Sequence, residues 1–192
     1  MYISKKKQNK KSGFTLIEML VAVLIFSMSL AALLSISAQG LKLARSSEKQ
    51  LVADYLALEA MEFVRNQRDS AFLSNGGKGI DKGYWESKVL GGPDRDCVGS
   101  SDTECNLFLQ GGSLDIGGCE KCIVYFNPDR KMYFQRKNDS SPDLPSYDSG
   151  YRRYIKINHM TDTQIMASVR VFWDDTGGKG EVAYTENLFL WQ

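Results

Sequence analysis

From Phe14 to Leu34 the chain runs for about 21 residues with almost no polarity, and at about 1.5 Å per helical residue that is enough to cross roughly 30 Å of hydrocarbon. The run can span a membrane. Lys5, Lys6, Lys7, Lys10 and Lys11 precede it and no such cluster follows, a bias that predicts a cytoplasmic amino terminus and an outward-facing remainder. One acid, Glu18, interrupts it. A carboxylate inside an apolar span costs a few kcal/mol at mid-depth and is rarely kept without a partner. A secretory signal carries its small-residue cleavage site after the apolar core, whereas Gly13 stands before it. A cut at Gly13 would leave the apolar helix on the mature chain, with a free ammonium on Phe14 four residues ahead of Glu18.

The stretch KSGFTLIEMLVAVLIF closely resembles the class III signal of type IV prepilins and type II secretion pseudopilins, with Gly13, Phe14, Thr15, Leu16, Ile17 and Glu18 matching its core. The resemblance implies cleavage by a prepilin peptidase between Gly13 and Phe14 and methylation of the new amino group on Phe14. It also implies that Glu18 pairs with the amino terminus of a neighbouring subunit during filament assembly. The implied partners are the peptidase, other pilin or pseudopilin subunits, the inner-membrane assembly platform and the membrane itself. The implied place is the inner membrane, single-pass, with the head in the periplasm or on a surface filament. The alternatives are a plain amino-terminal anchor and a conventional signal cut near Ala38.

Residues 1–13 read as a leader, 14–40 as the membrane and assembly helix, and 41–192 as one globular head, whose length of about 150 residues suits a single core. Within the head, 41–73 continues the helix. Val52, Leu56, Ala60, Phe63 and Val64 collect on one side, a stripe suited to packing on a sheet. Leu51, Tyr55 and Leu58 lie nearly opposite, and burial against neighbouring subunits would explain them. Asn75, Gly76 and Gly77 supply the helix stop. Glu59–Leu73, with Tyr84 and Trp85 beyond it, is similar to the helix end of minor pilins. Residues 74–122 hold repeated glycine pairs and Pro93 and read mostly as loop, with Trp85 to Leu90 and Asn106 to Leu109 as short pieces, helix or strand, tacked to the core.

From Ile123 the pattern becomes β: a hairpin over 123–136, then strands near 151–158, 164–173 and 181–191, with Ile165, Ala167, Val169, Val171 and Trp173 alternating inward. The predicted class is α+β, a long amino-terminal helix, half membrane-spanning and half amphipathic, packed on a carboxy-terminal antiparallel sheet of four or five strands. The strands RYIKI and VRVFW and the closing Leu188, Leu190 and Trp191 resemble the sheets of minor pilins and smaller pseudopilins. The arrangement that this resemblance implies is the pilin fold.

Losing residues 1–13 removes five lysines and no acid, leaving 19 basic against 23 acidic side chains. That balance argues against a dedicated nucleic-acid binder, although Tyr151, Arg152, Arg153 and Tyr154 form a local basic patch, read here as strand surface. Cys97, Cys105, Cys119 and Cys122 are an even set in an exported chain, which favours disulfides, with three pairings open. A zinc site or a redox pair at Cys119 and Cys122 are the weaker readings: the seven-residue gap between Cys97 and Cys105 is wide for a zinc knuckle, and no strand-to-helix pattern surrounds the C-x-x-C.

No catalytic constellation or cofactor motif emerges. His159, the only histidine, would have to serve any triad and reads as a surface residue; Asp174 and Asp175 read as turn acids, without the spacing of a calcium loop. The sequence thus points to a minor pilin or pseudopilin, a structural subunit and no enzyme. The alternatives are a pilus-tip binding module for adhesion or DNA uptake, a type II secretion pseudopilin, and a membrane-tethered enzyme using His159 or the cysteines.

Overall fold

The computed structural model describes residues 13–77, 104–110, 113–136, 145–161, 163–175 and 178–189. Helix α1 runs from Leu16 to Ser74 without interruption, carried through Gly40 by long stretches of good helix formers and the absence of proline. It stops where the glycines predict. Gly76 and Gly77 take φ of 66° and 74°, a region open to glycine, and their N–H groups donate to the carbonyls of Leu73 and Phe72 at 3.1 Å.

Packing divides the chain between Arg45 and Ser46. In the first unit every described residue from Gly13 to Arg45 is exposed, and its helix is long and apolar enough to cross a membrane. The second unit begins with the remaining helical turns and continues into β1 (Cys105–Gln110), β2 (Ser113–Gly118), β3 (Ile123–Asn127), β4 (Met132–Phe134), β5 (Tyr147–Thr161), β6 (Gln164–Asp175) and β7 (Gly178–Phe189).

All pairings are antiparallel. One edge of β5 pairs with β6, which pairs in turn with β7 through 12 bulge-free positions. The other edge is shared: its first half takes the β3–β4 hairpin, and Ile155 meets Cys105 of the β1–β2 hairpin. The sheet thus has seven strands, more than the four or five expected. The added pair is β1–β2, in the region read as loop. Its Gly117 is not a turn residue: a Cβ there would lie 2.6 Å from the Phe108 ring, so glycine admits an aromatic side chain across the hairpin. Expected pieces within 78–103, including Trp85 to Leu90, lie outside the described residues.

The core lies between the sheet and residues 46–74 of α1. Ala53, Leu56, Ala57, Ala60, Met61 and Val64 are buried there, with Val52 and Phe63 partly so. Ala53, Ala57 and Ala60 share one buried cluster with Ile155, Ile157, Val169 and Val171, and each of those four larger side chains is worth about 1.5–3 kcal/mol when fully buried. Period-2 alternation divides the basic patch. Tyr151 and Arg153 face inward and Arg152 and Tyr154 face outward, so Arg153, 2% exposed, is not strand surface. Its guanidinium donates to Glu59 Oε2 (2.6 Å), the Leu56 carbonyl (3.0 Å) and Gln135 Oε1 (2.8 Å), while Gln135 Nε2 donates to the Cys122 and Arg153 carbonyls. Burial lowers its pKa from the usual arginine value and the Glu59 carboxylate opposes that shift.

Candidate functional site

Gly13, Phe14 and Thr15 precede the helix, and Thr15 caps it. The Glu18 N–H is shared between the Thr15 carbonyl (3.1 Å) and Thr15 Oγ1 (3.4 Å), and Met19 N–H also reaches the Thr15 carbonyl at 3.3 Å. Thr15 and Glu18 therefore stand at the N-cap and third helical positions of an S/T-x-x-E pattern, a signal the reading above did not use. The cap has two consequences. It fixes Glu18 in the first turn, where a negative charge complements the helix dipole. It also leaves the Gly13–Phe14 bond in non-helical backbone, with Phe14 75% exposed.

The Glu18 carboxylate is exposed and makes no hydrogen bond or ion pair among the described residues. From Phe14 to Leu41 it is the one ionisable side chain. Three serines in the span are treated differently. Ser27, Ser29 and Ser37 each donate their hydroxyl to the carbonyl four residues back, at 2.7, 2.9 and 2.9 Å, which satisfies them inside the helix as a lipid setting demands.

Residues 8–34 match the family model of the prokaryotic N-terminal methylation motif. The chain carries the class III signal of type IV pilins and pseudopilins. The methylation motif covers Gly13, Phe14 and Glu18 and most of the apolar span, and so supports membrane anchoring through this helix. No curated protein and no solved structure matches the chain.

The other residues singled out from the sequence are dispersed. Cys119 and Cys122 form a disulfide, Cα atoms 5.1 Å apart, across the passage from β2 to β3; Cys105 is also disulfide-bonded, and Cys97 lies outside the described residues. The bridge leaves Cys122 at φ 51° with its carbonyl accepting from Arg153 N–H (3.1 Å) and Gln135 Nε2 (2.9 Å), so it braces the buried polar network. His159 is in β5, opposite Ile165. Asp175 accepts from Ser46 Oγ at 2.7 Å and lies 3.5 Å from Lys49 Nζ, holding the turn to the helix. Among the described residues no cluster of three or more His, Cys, Asp or Glu could hold a metal. The Arg153, Gln135 and Glu59 network escaped the sequence reading, because nothing local marks an arginine that its strand turns inward.

Proposed function

We propose that this chain is a minor pilin or pseudopilin, a structural subunit of a bacterial type IV pilus-like filament. Residues 1–13 act as the cleaved leader, 14–40 as the membrane and assembly helix, and 41–192 as the extracytoplasmic head. A prepilin peptidase removes the leader after Gly13 and methylates the Phe14 amino group. The new ammonium of a neighbouring subunit then pairs with Glu18, and in a low-dielectric setting an unpaired partner is costly enough to make the pairing selective. The lysines at 5, 6, 7, 10 and 11 hold the amino terminus in the cytoplasm until then.

The observation that carries this reading is the coincidence of the methylation motif with Glu18, the one ionisable side chain of the apolar helix, which has no partner among the described residues. Partners on this reading are the peptidase, sibling pilins or pseudopilins and the inner-membrane assembly platform. Glu18→Ala leaves leader removal intact and lowers incorporation into sheared filaments at least about tenfold, the loss expected for a buried ion pair. Incorporation at the wild-type level contradicts the role of Glu18.

A further inference from the structure

The outer face of the sheet, opposite the helix, holds a cleft of about 730 Å³ that no step above uses. That volume falls within the range of small-molecule sites, about 300–1,000 Å³. Its floor comes from the outward rows of β5 and β6, where Arg152 stands across from Phe172 and Tyr154 across from Arg170. The Tyr154 and Phe172 rings meet edge to face, centroids 5.6 Å apart, and the Arg170 guanidinium lies 5.5 Å from the Phe172 centroid. An aromatic platform thus sits beside planar polar groups.

The hydrogen-bonding capacity of Arg170 is largely unspent among the described residues. Of the five N–H donors that a guanidinium offers, Arg170 uses one, from Nη2 to Glu104 Oε1 at 3.2 Å. Glu104 Oε2, the Asp174 carboxylate and the Lys179 ammonium make no hydrogen bond among the described residues. Trp173, 8% exposed, also borders the cleft, although its indole belongs to the core on the other face of the sheet. A second hollow of about 220 Å³ shares Glu104, Tyr154 and Arg170 and continues along the hydroxyls of Ser168 and Thr185. The two together suit an extended ligand. Glu104 is held in place by its carbonyl, which accepts from Cys119 N–H at 3.2 Å, so the disulfide-braced segment shapes this face.

Charge decides the ligand class. Arg152, Arg170 and Lys179 are matched by Glu104, Asp148 and Asp174, and Arg152 is already held by Asp148 through two bonds of 2.8 and 2.7 Å. A polyanion such as single-stranded nucleic acid needs uncompensated cations. A neutral ligand dense in hydroxyls uses donors and acceptors side by side and lays its C–H faces on an aromatic edge. We propose that this cleft binds a neutral oligosaccharide, a function separate from filament assembly.

The test uses the full chain in a zwitterionic detergent without a sugar headgroup. It is applied to an array of neutral and acidic oligosaccharides with a single-stranded oligonucleotide alongside, and the best ligand is then titrated. The expected result is retention of a neutral oligosaccharide whose affinity shifts less than about twofold with tenfold added salt, the insensitivity of an uncharged ligand. Arg170→Gln and Glu104→Gln each weaken it at least about tenfold, the loss of one or two good hydrogen bonds, with unchanged Tm. Retention of no neutral oligosaccharide overturns the proposal. So do variants that bind like the wild type, or steeply salt-dependent retention of the oligonucleotide in place of a sugar. Filament incorporation of the same variants stays at the wild-type level, so this outcome is distinct from the Glu18 experiment.

Discussion

Tyr151 shows how much one residue joins in this head. Its ring packs between Tyr133 and Trp173, centroids 6.1 and 6.3 Å away, and its hydroxyl donates to the Lys49 carbonyl at 3.2 Å, tying β5 to α1. Burial first, then the charges of Tyr133 and Glu48, push its pKa from 10.0 up to about 12. The folded value lies above the unfolded one. The resulting stability is therefore complete below pH 10 and lost as pH rises toward about 12. Denaturant titrations should show stability falling across that window in the wild type. Tyr151→Phe should flatten the fall at a cost of about 1 kcal/mol at neutral pH, for the lost bond; an unchanged alkaline slope would show that Tyr151 does not drive it. The residue was visible in the sequence only as part of an aromatic and basic tetrad. Alternation along a strand is legible, but which row faces in depends on what covers the sheet, and so Arg153 was taken for surface.

At the scale of elements, the helix was the most legible part, because 3.6-residue periodicity, the absence of proline and paired stop glycines all agree. The late strands were legible from their alternation. Of the β1–β2 hairpin only Asn106 to Leu109 stood out, as a short helix or strand; β2 did not, since Gly117 and its neighbours carry the same letters as turn glycines while serving an aromatic contact. Gly180 is similar: it lies within β7, opposite Trp173, and a Cβ there would overlap the Trp173 indole. The far side of α1 leaves Leu51, Tyr55 and Leu58 exposed, Tyr55 by 66%, away from the buried stripe. Nothing within the described head gains from three apolar residues there, whereas helices bundled in a filament would bury them. Replacing Leu51 and Leu58 with Ser should change head stability by less than about 0.5 kcal/mol, as for surface sites. It should nonetheless reduce filament yield severalfold, scored by immunoblot of sheared fractions. Normal yield would assign this stripe to solvent.

For the whole molecule, the chemistry sits at one end and the individuality at the other. The methylation motif spans residues 8–34, and no curated protein or solved structure matches the chain, so what was readable by resemblance lies in a short stretch where chemistry fixes the residue types. The head was readable as an α+β class but not in its strand count, because long-range pairing such as Ile155 with Cys105 leaves no local trace. The disulfide at Cys119 and Cys122 belongs to the same category: cysteine number favoured bridges, and only the fold chooses partners. The proposed sugar cleft arises from rows of β5 and β6 that sequence order separates. The central claim, a subunit made competent by cleavage ahead of its own helix, is tested most directly by mass spectrometry of the amino-terminal peptide of the protein recovered from membranes. The account predicts a peptide beginning at Phe14 with one methyl group on its α-amine; a chain that still begins at Met1, or one that begins beyond Ala38, would contradict it.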